Sequence, residues 1–222
     1  MGILEEVETA TERELVCYLD GASRDGTFSR LHRTLRISQK GLEWLLVLQG
    51  ALERLGARSW HYREGTRDVW TLETCWMGSC QPCAPAEAAA FARGYFDAEG
   101  GVPRSPDARF YVQFVQKDLQ DLSRVRTDLE SLGLSCGRLH NPSVAVDPHY
   151  WRFYIRARSH LAFCESVGSW HPRKRRLLDT FVSRRLAQSG PTRPDVPAAA
   201  LSLSGPMLRL MECLEVPTDE RR

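Results

Sequence analysis

The chain has 222 residues, 42% of them hydrophobic and 26% charged, and a net charge of +2. That length supports one large domain or two small ones around a real core, and the composition is that of a globular protein rather than a fibrous or disordered one. No stretch approaches the roughly 18 apolar residues of a membrane span, the opening MGILEEVETATEREL is acidic where a secretory leader would be basic and then apolar, and so small a net charge does not by itself mark a nucleic-acid binder.

In chain order, a first helix is predicted at about 12–21, capped by a loop and followed by the extended stretch RTLRISQ (33–39). Alternation of polar with apolar and β-branched residues predicts a strand there. An amphipathic helix follows, with Gly56 as a plausible C-cap. Two more strands, ARSWHYRE and RDVWTLET, flank Gly65-Thr66. CWMGSCQPCAPAE then reads as a linker. A second helix at 85–98 leads to the strand RFYVQFVQ (109–116), a helix ending at Gly133, the strands SCGRLHN and HYWRFYIRA, and two further helices in SHLAFCESVGSWHPRKRRLLDTF. From about 187 the chain is rich in Pro, Ser and Ala and reads as a disordered tail, with MLRLMECLEV as a candidate docking helix inside it.

The seven cysteines are scattered and odd in number, which reads as reduced thiols. Cys75, Cys80 and Cys83 contain a single CxxC. That is half a zinc site, and no His/Cys pair follows at finger spacing, so a reduced linker is preferred over a metal site. The stretch His171–Arg185 is strongly basic with one acid, Asp179; it suits a solvated helix face or a phosphate backbone.

The chain repeats itself. Ile37–Gly56 lies over Phe114–Gly133 at an offset of 77 residues, with Gln39/Gln116, Lys40/Lys117, Leu42/Leu119, Leu45/Leu122, Leu52/Leu129, Leu55/Leu132 and Gly56/Gly133 identical. The same offset sets Tyr18 on Tyr95 and Asp20 on Asp97. A shared core explains the leucines, but packing does not require Gln-Lys at a strand end. Each half thus reads as αββαββα, the first trimmed, in an α+β protein. The expected boundaries are a first repeat at 1–78, a linker at 79–85, a second repeat at 86–186 and the tail at 187–222.

The nine residues ARGYFDAEG, Ala92–Gly100, resemble the LAGLIDADG motif of homing endonucleases, with Gly94 as its small central residue and Asp97 and Glu99 as its acids. The companion features match as well: a strand ending in Gln-Lys, a helix ending in Gly, two strands and a basic HPRKRR helix. The resemblance spans about 12–185. It implies two pseudo-symmetric repeats forming a saddle of two antiparallel sheets, with the motif helices packed face to face at the centre and carboxylates from both helix ends meeting near the pseudo-twofold axis. Two neighbouring acids repel, and divalent cations, Mg²⁺ or Mn²⁺, relieve that repulsion.

By this resemblance Glu99 is a metal ligand, Asp97 closes the helix end, and Gly94 and Gly100 are motif positions. In the first repeat the ungapped alignment sets Cys17 on Gly94 and Ala22 on Glu99, so one ligand is missing. Asp25 in RDGTFSR is the first candidate to replace it and Asp20 the second. Gln39 and Gln116 fall where the family has polar groups near the metals, and as readily read as surface glutamines. Lys174 falls where the family has a lysine near the scissile phosphate, and no counterpart exists in the first half. Arg36, Arg58, His61, Arg63, Arg67, Arg109, Gln113, Arg138, His140, Arg152, Arg156 and Arg158 punctuate the strands, and Arg173 and Lys174 the basic helix; as a set they suit duplex DNA, since a β-ribbon fits the major groove.

The expected protein is therefore a free-standing monomeric endonuclease that cuts both strands of a long duplex site with divalent metal, in the cytoplasm with the DNA. The family's companion role is mobility of an intron, and intein splicing blocks are not visible in the chain. The alternatives are a degenerate member that only binds nucleic acid, as an RNA maturase or DNA-binding regulator, and a strand nickase with one crippled half-site.

Overall fold

The computed structural model describes residues 2–188, apart from 67 and 106; Arg67, the docking helix and the expected tail beyond its first two residues, which are helical, therefore lie outside the described residues. The first half begins with a helix the sequence reading missed, α1 (Ile3–Thr9), and continues with α2 (Glu12–Ala22), a 3-10 turn at Ser23–Asp25, β1 (Thr27–Ser29), β2 (Thr34–Gln39), α3 (Glu43–Arg54), β3 (Ser59–Arg63) and β4 (Trp70–Thr74). The second half has α4 (Pro85–Glu99), β5 (Gly100–Gly101), β6 (Gln113–Gln116), α5 (Leu119–Ser131), β7 (Trp151–Tyr154), α6 (His160–Ser166) and α7 (Pro172–Gln188).

Local chemistry sets several of these boundaries. Thr11 caps α2 in a reciprocal box with Glu14: the Thr11 hydroxyl accepts the Glu14 N–H at 3.2 Å, and the Glu14 carboxylate accepts the Thr11 N–H at 2.8 Å. The Asp118 carboxylate accepts from Gln120 and Asp121 N–H at the start of α5. Gly56 and Gly133 follow α3 and α5 at φ +65° and +79°, the left-handed geometry that ends a helix.

Two antiparallel sheets result, in the orders β1-β2-β4-β3 and β5-β6-β7. In the first, Arg36 lies opposite both Thr27 and Glu73, and Ile37 opposite Leu72. In the second, Phe114 lies opposite Gly100 and Phe153. SCGRLHN does not form the strand expected of it: it contributes only the bridges Cys136–Ile155 and His140–Arg152. Its carbonyls are taken partly by side chains, with Arg126 on the Gly137 oxygen and Arg156 on the Cys136 oxygen.

One face of each sheet packs on helices. Ile37, Leu72, Trp44, Leu45, Leu48 and Leu52 are buried in the first half, and Phe96, Phe114, Phe153 and Phe163 in the second. Between the halves, α2 packs along α4 more extensively than any other pair of elements. The contact is backbone to backbone. A Cβ on Gly94 would fall on the Tyr18 carbonyl and 2.9 Å from the Ala22 nitrogen; one on Gly21 would fall on the Phe91 carbonyl and 2.6 Å from the Tyr95 nitrogen.

This crossing corrects the repeat alignment. Gly21, not Cys17, is the partner of Gly94. Cys17 is instead joined by a disulfide to Cys80 of the linker, which also corrects the expectation that all the cysteines are free thiols. The helix α1 ties the halves together. Its Val7 carbonyl and the Ala10 carbonyl accept from Arg54 of α3, while its Glu6 pairs with Arg175 of α7 at 2.7 Å and accepts from the Trp170 indole at 2.8 Å.

Candidate functional site

The Gly21–Gly94 crossing sets the register of everything that follows it. From Gly21 the chain reads Ala-Ser-Arg-Asp25-Gly26; from Gly94 it reads Tyr-Phe-Asp-Ala-Glu99-Gly100. The first motif is one residue shorter, and Asp25-Gly26 is the counterpart of Glu99-Gly100. Ala22 is therefore not the equivalent of Glu99. The 3-10 turn at Ser23–Asp25 tightens the end of α2 and delivers Asp25 to the same end of the helix pair.

There the two halves make the same contact. The Gln39 amide, at the end of β2, donates to the Asp25 carboxylate. The Gln116 amide, at the end of β6, donates to the Glu99 carboxylate at 3.3 Å, and its own carbonyl is held by the Lys117 N–H at 2.7 Å. Burial pushes the Asp25 carboxyl above the usual range, with the Gln39 contact opposing. Burial does the same to Glu99, and the charge of Asp25 adds to it. A third acid that the sequence reading missed, Asp121 in the first turn of α5, adds smaller repulsion on Glu99 and pairs with Arg24 at 3.5 Å.

Lys174, in the first turn of α7, lies against this pair. Its ammonium donates to the Phe96 and Asp97 carbonyls at 2.6 and 2.8 Å, at the negative end of the α4 dipole. Burial lowers it to about 8 against the opposing pull of Asp97, Asp25 and Glu99. Asp97 is fully buried beside it. Its carboxylate accepts from the Ser169 hydroxyl, the Trp170 and His171 N–H groups at 2.8 and 3.1 Å, and the Tyr18 hydroxyl at 3.0 Å. The Trp44 indole donates in turn to Tyr18 at 3.0 Å. Burial nevertheless raises the Asp97 carboxyl, with Lys174 the largest opposing influence. Tyr18, Ser169 and Trp44 carried no sequence signal for this network beyond the Tyr18/Tyr95 identity.

Asp20 is not brought to Glu99. Its carboxylate accepts the Cys80 N–H at 2.8 Å and faces Arg24 at 3.3 Å, so it serves the linker. Gly100 begins β5, where a Cβ would strike the Phe96 ring and carbonyl.

The strand candidates divide by register, because paired residues of antiparallel strands share a face. In the first sheet Arg36, Glu73 and Trp60 share the face away from α3. Glu73 is held below the usual carboxylate range by the Thr34 hydroxyl, Arg36 and Tyr62, so Arg36, at 3.2 Å, has its charge matched. His61 and Arg63 fall on the other face: His61 contacts Gln49 of α3 at 2.8 Å, and Arg63 lies opposite Trp70 at the strand end. Arg58 is exposed just before β3.

The second sheet presents a different surface. Gln113 lies opposite Tyr154, and Arg152 opposite His140 and Val115. The Arg152 guanidinium stacks over Tyr154 at 5.4 Å and donates to His140 at 3.2 Å. Arg109, Arg138, Arg156 and Arg158, in and beside the second-half strand segments, are exposed, as is Arg173 in the first turn of α7; Arg158 also donates to Ser135 at 2.7 Å.

A family described as the LAGLIDADG-like domain matches residues 86–168. Among solved structures, the chain is similar to I-DmoI in complex with DNA and Mn (TM-score 0.53, 15% identity, covering 71% of this chain and 98% of that one); I-DmoI is a homing endonuclease. It is also similar to full-length DUF199/WhiA from Thermatoga maritima (TM-score 0.61, 18% identity, 82% and 65% covered) and to the N-terminal LAGLIDADG domain of DUF199/WhiA (0.60, 16%, 75% and 88%). No curated protein sequence matches the chain. The resemblance drawn from ARGYFDAEG and the duplicated unit is thus borne out: the second repeat is a LAGLIDADG-like domain, and the described residues have the LAGLIDADG fold. At these identities the structural likeness is one of fold.

Proposed function

We propose that this protein is a site-specific endonuclease that hydrolyses phosphodiesters of a long duplex DNA site with divalent metal. The observation that carries the reading is the pair of acid–amide contacts, Asp25–Gln39 and Glu99–Gln116, at one end of two helices in backbone contact. The donor set suits a hard cation. Both carboxylates are oxygen ligands raised by burial, Glu99 also by its neighbour's charge, so a cation between them restores the ionised forms. Asp25 and Glu99 would hold Mg²⁺ or Mn²⁺, which supplies a lowered water pKa and charge neutralisation at the leaving oxygen.

The chain's own groups do the rest. Gln39 and Gln116 hold the carboxylates in place, and the tie from Lys117 N–H fixes the Gln116 amide. The Lys174 ammonium offsets the negative charge of both Asp25 and Glu99; the first half has no lysine to match it, so the two halves of the site are unequal. The arginine-rich, aromatic face of the second sheet supports duplex binding through phosphate contacts and base edges. I-DmoI, of the same fold, is seen with its target DNA and Mg.

The test is cleavage of a randomised duplex library with Mg²⁺ by the wild type and by Glu99→Gln. Double-strand cutting that Glu99→Gln abolishes is expected. Cutting of one strand points to a nickase. Selective DNA retention without cutting, unchanged by the substitution, overturns the enzymatic reading.

A further inference from the structure

The linker carries a cluster that the endonuclease reading does not use. Cys17 lies fully buried in the middle of α2, and Cys80 is almost fully buried in the linker. Glu87 stands in the first turn of α4. Their two sulfurs and a carboxylate oxygen all lie within 4.8 Å of one another. Cys83 adjoins them: its N–H donates to Glu87 at 2.9 Å, and its exposed thiol rests on the Gln81 carbonyl at 3.4 Å, from where it joins the other three ligand atoms by a side-chain rotation. Cys80-x-x-Cys83 is half a zinc site by sequence. The fold supplies the partners that no spacing rule could see, since Cys17 is 63 residues away from Cys80.

The surroundings are built for the purpose. Cys80 is pinned through both backbone groups, its N–H on Asp20 at 2.8 Å and its carbonyl on Arg124 at 2.8 Å. Arg13 pairs with Glu87 at 3.1 Å and donates to the Gln81 carbonyl. Such outer contacts orient ligands, and the two arginines offset the negative charge that three thiolates and a carboxylate bring. Three soft thiolate donors select zinc over magnesium or calcium.

We propose that in the reduced chain Cys17, Cys80, Cys83 and Glu87 form a Zn²⁺ site that clasps the linker to both central helices, apart from the Asp25–Glu99 end. The proposal does not rest on nuclease activity. In the structure the Cys17 and Cys80 sulfurs are joined. A dithiol reductant opens that bond: the reductant's own S–S bond forms, and Cys17 and Cys80 each end as a thiol. Zinc then takes the thiolates, and their protons pass to solvent.

The test uses the full chain, reduced with dithiothreitol, desalted without oxygen and titrated with Zn²⁺ against a chromophoric chelator, then with Co²⁺ alone. About one tightly held zinc per chain is expected, with a sulfur-to-cobalt charge-transfer band. Cys80→Ser, Cys83→Ser and Glu87→Gln should each weaken binding about tenfold or more, and Cys75→Ser should leave it unchanged. Because Cys83 and Glu87 lie outside the hydrophobic core, these two variants report on metal even if Cys17→Ser or Cys80→Ser fails to fold. A reduced wild type that holds no zinc and gives no thiolate–cobalt band overturns the proposal. So does a Cys75→Ser loss as large as that of Cys80→Ser.

Discussion

Asp25 and Glu99 face one another across the helix pair with unequal support. Lys174 offsets the charge of both, but Glu99 has a Gln116 fixed by the Lys117 N–H and is repelled by Asp121, whereas Asp25 depends on Gln39 and on the short turn that presents it. Both Glu99→Gln and Asp25→Asn should lower cleavage by about 100-fold or more, since each removes an anionic oxygen where several kcal/mol of charge stabilisation is made; Asp20→Asn should leave cleavage within about threefold, because its carboxylate serves the linker. Single-turnover rates on the selected duplex check all three. Lys174 adds a pH signature. Its folded value of about 8 lies below the usual 10.5, so the unfolded chain binds that proton more tightly. Stability from this group therefore rises between about pH 8 and 10.5, where the buried ammonium is lost. Cleavage should move the opposite way: the ammonium on the Phe96 and Asp97 carbonyls disappears as pH passes 8. A basic limb near pH 8 that Lys174→Arg shifts upward is expected in the pH–rate profile.

At the scale of elements, the crossing of α2 and α4 is the least tolerant feature. Gly94→Ala and Gly21→Ala place a methyl on a facing backbone carbonyl, which cannot move aside as a side chain could. Each should cost ~3 kcal/mol in urea unfolding. Gly50→Ala is the control: it lies inside α3 with open space at its Cβ, and should stabilise by about 0.5–1 kcal/mol. The second joint is the end of α4 against the start of α7. Asp97→Ala strands the buried Trp170 and His171 N–H groups and the Tyr18 hydroxyl, and should cost about 3 kcal/mol or more. Asp97→Asn should cost less, because its amide can donate to Ser169 while its oxygen still accepts the other three.

For the whole molecule, the two sheets are chemically unequal. The first presents a face centred on Glu73, with Arg36 already paired to it. The second shows Arg152 stacked on Tyr154, with Arg138 exposed beside it. Arg138→Ala and Arg152→Ala should each weaken duplex binding about tenfold and reduce the salt slope by about one. Arg36→Ala should weaken it by less than about threefold. Affinity measured across a salt series on the selected duplex checks the difference.

The repeat was legible because its signals are local or periodic. Leucines at helical spacing, Gln-Lys at two strand ends and glycines past two helices need no partner to be seen. The pairing of Phe91–Val102 with the first repeat was not, because the ungapped offset of 77 that holds from Gln39/Gln116 onward falls to 73 at Gly21/Gly94 within the helices and to 74 at Asp25/Glu99. Only the backbone contact at Gly21 and Gly94 reveals that slip, and with it the place of Asp25 beside Gln39. The face to which each strand arginine belongs likewise depended on register, which one residue reverses.

By itself the sequence determined the duplicated α+β plan, the elements with strong periodicity and the acids of the second motif, since these follow from side-chain pattern and capping chemistry within a few turns of chain. The tertiary structure decided what depends on distant residues meeting: the helix register, the partners of Asp97, the α1 strap and the union of Cys17 with Cys80. Those contacts join segments tens of residues apart, and local propensity carries no information about which of them will meet.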